Sequence, residues 1–405
     1  MEKKDLTLMR EGLADFYIYN SDKESIPSKS MNVFYNKKML LNRDISNLAI
    51  NAFRKLFKQD ALLIVDSMAA SGVGAIRMLK ECKNVKKIYI NDVNPEAVKL
   101  INKNLKLNKL VNSYIQIEVF NKDANLLFSE IAINARQAKG KPNVISIDPF
   151  GTPNLYIDSA FKALQKINGL ICITATDTAV LFGVRPRACK RKYLSKSLHT
   201  EYSKEIGARI LVHFIFQIAN INKMGIIPLL TFYSGHFIRV FCLTYKDIKK
   251  ISKSFNKIGF IIHCSKCGYR KAFANNILEM LERCPICKDE GDLDYAGPLW
   301  IGKIHYTPFI QSILKYNQKI KYQNKNKIKK ILTYAIEENN MPVSFYNIHK
   351  LCQNLKLPSV PKIEDIITEI KKMGYQASRT HFDFLSIKTD LDLQKIKNAI
   401  INLIY

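Results

Sequence analysis

The sequence contains no apolar run long enough to span a bilayer, and its charged start, Met1 to Arg10, has no hydrophobic segment behind it. These absences exclude transmembrane and secreted classes, so the expectation is a soluble, cytoplasmic protein with no membrane partner. No internal repeat is present, which removes solenoids and propellers. Acidic residues are scarce: 35 Asp and Glu stand against 63 Lys and Arg, a formal net charge of +28. A field of that sign attracts polyanions, nucleic acid first, although a Lys-, Asn- and Ile-rich composition is also what a biased genome produces. The seven histidines show no mutual spacing that demands a ligand or base role.

Hydrophobic residues make up 47% and charged residues 24%. That is ordinary globular composition and excludes global disorder. A length of 405 residues implies two or three domains. From Ala61 onward short apolar runs alternate with helical patterns: Leu62 to Val65, Ile88 to Ile90, Ile115 to Phe120, Val144 to Ile147 and Leu170 to Ile173. Such alternation predicts a parallel sheet covered by helices. Two further runs, Ile226 to Tyr233 and Phe237 to Thr244, are joined by Ser234, Gly235 and His236 and predict a hairpin. The expected fold is α/β; a parallel sheet ending in an antiparallel hairpin fits the class I (Rossmann-like) methyltransferase variant of the doubly wound fold better than a plain dehydrogenase. An N-terminal extension plus this domain is expected over 1–245, a zinc-binding α+β region over 246–314, and a basic helical region over 315–405. The order of elements after Ile328 resembles a winged helix.

Asp66 ends the first strand, and the Ser67 to Arg77 segment is a small-residue turn into a helix. Gly72 and Gly74 permit positive φ and a close approach of backbone to a ligand, although the full GxGxxG is missing. Asp92 stands at the end of the second strand, where a carboxylate can accept both hydroxyls of an adenosine ribose. Asp123 and Ala124 follow the third strand, where a carboxylate and a backbone N–H can read an adenine edge. Each acid alone could be an N-cap or a turn former; three at successive strand ends point to a nucleotide cofactor. After the fourth strand comes Asp148-Pro149-Phe150-Gly151, which resembles the Asn/Asp-Pro-Pro-aromatic motif of enzymes that methylate amines. An exocyclic amine on a nucleobase is a poor nucleophile, and a carboxylate that accepts its N–H raises its electron density, which is the role expected of Asp148. Phe150 can stack on an extruded base.

Cys264 and Cys267, then Cys284 and Cys287, give two CxxC pairs at the spacing of a four-cysteine zinc site. With four thiolates no position is left open, so the Zn²⁺ is expected to be structural. Arg185, Arg187, Lys190, Arg191 and Lys192 form a cationic segment after Thr176-Asp177 that suits phosphates, and the Lys315 to Lys330 run is either an RNA contact or a solvated face.

Taken together, these motifs closely resemble the tRNA (guanine-26-N2) dimethyltransferases, especially the archaeal type. The resemblance runs from Arg10-Glu11-Gly12 to Gly297-Pro298-Leu299-Trp300-Ile301-Gly302, through Val33-Phe34-Tyr35-Asn36, Asn42-Arg43-Asp44, Ser71 to Arg77, Asn91-Asp92, Asp123-Ala124, Asp148 to Gly151, Thr174 to Asp177 and Glu205 to Leu211. It implies S-adenosylmethionine as cofactor and tRNA as partner. It also implies that Arg43 and Arg77 bind the cofactor, and that Phe34 faces Phe150 across a guanine pocket. Methylation of adenine N6, and a zinc-containing nucleic-acid-binding regulator without catalysis, are the competing readings. The sequence leaves the oligomeric state open, with a monomer as the working expectation.

Overall fold

The computed structural model describes residues 6–23, 31–111, 113–137, 140–274, 283–288 and 291–405. An N-terminal hairpin, β1 (Leu6–Glu11) and β2 (Ala14–Tyr19), precedes a long helix, Leu40–Leu56. The central sheet has seven strands: β3 (Leu62–Asp66), β4 (Val85–Asn91), β5 (Gln116–Phe120), β6 (Val144–Ile147), β7 (Leu170–Ala175), β8 (Gly225–Ser234) and β9 (Phe237–Tyr245). Their spatial order is β5-β4-β3-β6-β7-β9-β8. The first five are parallel, and β9 runs antiparallel to both β7 and β8. Both the parallel strands and the terminal hairpin lie where the apolar runs predict them. Strands β6 and β7 are buried along their whole length, as strands covered on both faces must be, which explains their uninterrupted apolar character.

The strand order reverses between β3 and β6, and in an open α/β sheet such a reversal opens a crevice at the carboxyl ends of the strands. Asp66, at the end of β3, and Asp148, just past β6, flank it. The turn after β3 leads through Gly72, at φ 79°, into the helix Val73–Glu81. A Cβ on Gly72 would also meet Ile101 Cγ1 at 3.1 Å. Glycine thus answers both the left-handed backbone and the close packing.

Beyond the sheet, β10 (Ile258–Cys264), β11 (Arg270–Ala274) and β12 (Leu293–Trp300) form a second sheet with β10 central. The helices Thr307–Lys319 and Lys325–Glu337 follow. The last part pairs β13 (Tyr346–Asn347), β15 (Ser386–Thr389) and β14 (Ala377–Arg379), with helices Ile348–Asn354, Ile363–Lys372 and Leu393–Asn402. From Lys325 onward three helices precede the strands β14 and β15, with the short β13 between the first two helices and the Leu393–Asn402 helix after the strands.

The hydrophobic cores run across positions 245 and 315. Ile261, Ala296, Leu299 and Trp300 belong to the same core as β6 and β7. Phe309, Ile310, Ile313, Ile328 and Ile331 share a core with Ile45, Leu48 and Phe53 of the Leu40–Leu56 helix. Beyond position 315 a separate core forms among residues 348–400. That last unit is fastened to the body built on the seven-stranded sheet by buried charges: Lys388 Nζ donates to Glu205 Oε1 at 2.6 Å, and Arg209 Nε donates to the same oxygen at 2.9 Å. His305 and His381 both face Glu338 within this cluster.

Candidate active site

A cleft of about 470 Å³ opens at the strand-order reversal. Asp66, Asp148, Phe34, Phe150, Arg43, Gly74, Asn36, Asn42, Thr176, Asp177, His236 and Arg239 all line it. The chemistry predicted for Asp148 and the aromatic pair thus converges on one cavity with one of the predicted acids, Asp66.

Asp148 is held from the Leu40–Leu56 helix. Asn42 Nδ2 donates to Asp148 Oδ2 at 3.2 Å and lies 3.3 Å from Thr174 Oγ1. The loop after Asp148 is fixed by Gly151 N–H donating to Thr176 Oγ1 at 2.7 Å and by Thr176 N–H donating to Gly151 O at 2.9 Å. Phe34 and Phe150 meet edge to face, with ring centroids 5.5 Å apart. Phe150 is 53% exposed, a large cost for an aromatic ring unless something flat covers it.

Asp66 is buried at the cleft floor. Burial raises its pKa to about 7, with the charges of Asp148 and Asp92 adding to the effect and Arg239 opposing it. Arg239 comes from the middle of β9, where it is 2% exposed. Its guanidinium donates to Thr174 Oγ1 at 2.8 Å, Ser146 Oγ at 3.1 Å and Ser46 Oγ at 3.3 Å, and so ties three elements together beneath the site. The sequence reading missed Arg239, yet a lone arginine inside the apolar stretch Phe237–Tyr245 was the signal for it.

The remaining predicted residues divide into two groups. Asp92, Asp123 and Ala124 sit at the carboxyl ends of β4 and β5 and do not line the cleft around Asp148. Asp92 accepts the Ala70 N–H at 2.8 Å and the Asn94 N–H at 2.9 Å, and burial raises its pKa. Asp123 accepts the Asn125 N–H at 2.8 Å at the start of the helix Ala124–Gln137. The two arginines also part company. Arg43 lines the cleft, bound to Glu11 through Nε at 2.8 Å and Nη2 at 2.6 Å. Arg77 is fully buried: it donates twice to Glu81 at 3.0 Å, pairs with Asp44 at 2.7 Å and lies 3.6 Å from Glu11. Its charge is spent on this hub, and no part of it lines the cleft.

Next to the cleft, the helix Pro186–Tyr193 carries exposed Arg187, Lys190 and Arg191, with Arg185 preceding it. Lys192 pairs with Asp177 at 3.3 Å, and the Tyr193 hydroxyl donates to Asp177 at 2.8 Å. Asn154 Nδ2 donates to Lys192 O at 3.0 Å. The basic helix is thus hydrogen-bonded directly to the loop that follows Asp148.

The four cysteines predicted as ligands converge, with all four sulfurs within 4.8 Å of one another. Cys264 Sγ lies 3.6 Å from Cys287 Sγ, and Cys267 Sγ lies 3.5 Å from Cys284 Sγ. A tetrahedral zinc with bonds of about 2.3 Å has sulfur–sulfur edges near ~3.8 Å, so this donor set fits that ion. The other five cysteines are buried and separate. Among the described residues no helix is long and apolar enough to cross a membrane.

Comparison with known proteins agrees with this geometry. The family model of the N2,N2-dimethylguanosine tRNA methyltransferases matches residues 15–401. The tRNA (guanine(26)-N(2))-dimethyltransferase of Methanosphaera stadtmanae is 37% identical over 98% of this chain and 97% of its own length. The protein of the same name from Methanobrevibacter smithii is 35% identical over 99% and 98%. The solved structure of Trm1 from Pyrococcus horikoshii with S-adenosyl-L-methionine superposes with a TM-score of 0.81 at 28% identity, covering 98% of this chain and all of that one. With matches of this extent over nearly every residue, the chain belongs to the tRNA (guanine(26)-N2)-dimethyltransferase family.

Proposed function

We propose that this protein transfers one or two methyl groups from S-adenosylmethionine to the exocyclic N2 of guanosine at position 26 of tRNA, with Asp148 and the Phe34–Phe150 pair forming the base pocket. The observation that carries the reading is Asp148 itself, a carboxylate anchored by Asn42 in a cleft whose aromatic wall includes a half-exposed phenylalanine.

The cleft suits the cofactor. Asp66 is a buried carboxylate beside two other acids, and a cationic ligand would relieve that repulsion. Asp92 holds the turn residue Ala70 and keeps lone pairs for a ribose diol. Asp123 and the Ala124 N–H are assigned to the adenine, and Arg43 to the methionyl carboxylate. Arg77 is a positioning residue acting through Glu11, the partner it shares with Arg43. When bound, S-adenosylmethionine supplies an electrophilic methyl group.

The chain's own residues do the rest. Phe150, with Phe34 at its edge, stacks against the extruded guanine and holds its amine in line for transfer. Asp148 accepts an N–H of that amine and stabilises the positive charge that develops as the new N–C bond forms. Transfer leaves the nitrogen cationic with two N–H groups; one proton passes to Asp148 and from there to solvent, so the amine keeps one N–H and the carboxylate can serve a second round. The exposed cations of the Pro186–Tyr193 helix grip phosphates beside the flipped nucleotide. The four-cysteine cluster holds a structural Zn²⁺ that fastens β10 to the segment before β12.

The test is Asp148→Ala, with nucleosides from digested tRNA as the readout. Turnover to N2-methylated guanosine should fall on the order of 10²- to 10⁴-fold, while cofactor affinity by calorimetry stays within about twofold. Loss of cofactor binding together with turnover, or methyl label in adenosine, would overturn the reading.

A further inference from the structure

His236 sits in the turn between β8 and β9 and lines the same cleft. Its neighbour Asn36 fixes what it can do. Asn36 Oδ1 accepts the Lys38 N–H at 2.8 Å, which settles the orientation of that amide. The Asn36 group facing His236 Nε2, at 3.1 Å, is therefore Nδ2, and an amide nitrogen can only donate. His236 Nε2 must accept, so the single proton of the neutral ring resides on Nδ1. Burial, with Lys38 adding to it and Asp148 opposing, lowers the pKa of His236 below the ordinary histidine value, which keeps the ring neutral and this tautomer in place at physiological pH. The cleft thus holds the Asp148 carboxylate and, within its electrostatic reach, a donor of fixed tautomer, His236.

That pairing matches one base edge. Guanine presents two donors, N2–H and N1–H, followed by one acceptor, O6. A carboxylate can take both donors, and O6 then needs a donor beside it. Left unpaired in a dry pocket, O6 would keep its full desolvation cost.

We propose that His236 is a specificity-determining residue for the reaction, donating its Nδ1–H to guanine O6 while Asp148 takes the N1–H and N2–H edge. The inference rests on the reading of the cleft as a guanine pocket. It adds the selection of guanine over other bases that carry an amine at the same ring position.

The discriminating substrate is a split tRNA with 2-aminopurine riboside at position 26 in place of guanosine. 2-Aminopurine retains the amine that is methylated but has neither O6 nor the N1 hydrogen. Wild-type protein should prefer guanosine, and His236→Ala should shrink the guanosine to 2-aminopurine ratio of kcat/KM by roughly 10- to 100-fold, the span expected for one buried hydrogen bond. His236→Asn, which keeps a short side chain with an N–H donor, should recover part of that ratio. Cofactor affinity by calorimetry should be unchanged in both variants. A ratio that stays constant in both, whether the two rates fall together or not at all, would refute the role of His236. Failure of the wild-type protein to methylate N2 of guanosine would instead overturn the reading of the cleft itself.

Discussion

Replacing Arg77 by methionine separates two roles that one arginine could have here. Arg77 is fully buried against Glu11, Asp44 and Glu81, and its guanidinium lies 5.1 Å from the centre of the Tyr322 ring. Three carboxylates share two cations, Arg43 and Arg77. Arg77→Met keeps much of the volume and leaves three buried acids with Arg43 alone. Removing one partner of a buried ion pair costs about 3–5 kcal/mol. Glu81 would retain the Leu13 N–H at 3.0 Å, Asn47 Nδ2 at 2.7 Å and the Tyr322 hydroxyl, and Asp44 would retain Asn324 Nδ2 at 3.1 Å, which favours the lower end, about 3 kcal/mol. At about 2.1 cal/mol/K per residue, a chain of 405 residues unfolding in one transition loses roughly 3–4 °C. The loss should be larger above pH 5. Burial alone would raise the pKa of Glu11 and Glu81, but their partners outweigh it and hold both below the usual value, so their contribution is complete above the unfolded pKa and vanishes as pH falls through the folded one. Thermal melts at pH 7 and pH 4, with cofactor calorimetry on the folded variant, measure all of this. A variant that melts like the wild type at pH 7 yet no longer binds S-adenosylmethionine would refute the hub and return Arg77 to direct cofactor contact.

Asp66, with a pKa of about 7, should ionise fully when the cationic cofactor binds, so binding near pH 6 to 7 should release up to one proton and tighten as pH rises to that pKa; identical calorimetric enthalpies in buffers of different ionisation heat would exclude this. The protein should carry one zinc per chain, lost in Cys267→Ser/Cys284→Ser together with hydrogen-exchange protection across β10 to β12; elemental analysis finding no metal in the wild type would refute the four-cysteine assignment. Neutralising Arg187, Lys190 and Arg191 should reduce the salt dependence of tRNA binding by about 0.7–0.9 in log–log slope for each phosphate contact removed, and an unchanged slope would place those cations outside the complex.

The sequence revealed the parts of the site that obey local rules. Apolar runs located β3 to β9 because each strand is short and bounded by turns, and CxxC spacing located the cysteine cluster because its ligands come in pairs close along the chain. Asp148 and Phe150 were legible because an acid, a proline and an aromatic follow a buried strand. What escaped depends on packing between distant segments. Asn42 reaches Asp148 across 106 positions, and Asn36 reaches His236 across 200; neither spacing has a periodic signature. Arg77 stands in the motif where a cofactor contact is expected, and its burial against Glu81 on its own helix and against Glu11, Asp44 and Tyr322 from three distant segments has no signature in the sequence. The separation of Asp92 and Asp123 from the Asp148 cleft is likewise a matter of how far apart neighbouring strand ends lie, which sequence order does not encode.

The helix Thr307–Lys319 lies against the helix Leu40–Leu56, the same helix that carries Asn42 and Arg43. On a ribosome this order has a cost in time. The catalytic sheet is complete once Tyr245 has emerged, but one face of the helix that anchors Asp148 stays uncovered until about seventy further residues are made. The nascent enzyme therefore passes through a stage in which every residue of its chemistry exists and the wall behind them does not. A fragment ending at Tyr245 would be trapped at that stage, with the surface that the Thr307–Lys319 helix covers facing water.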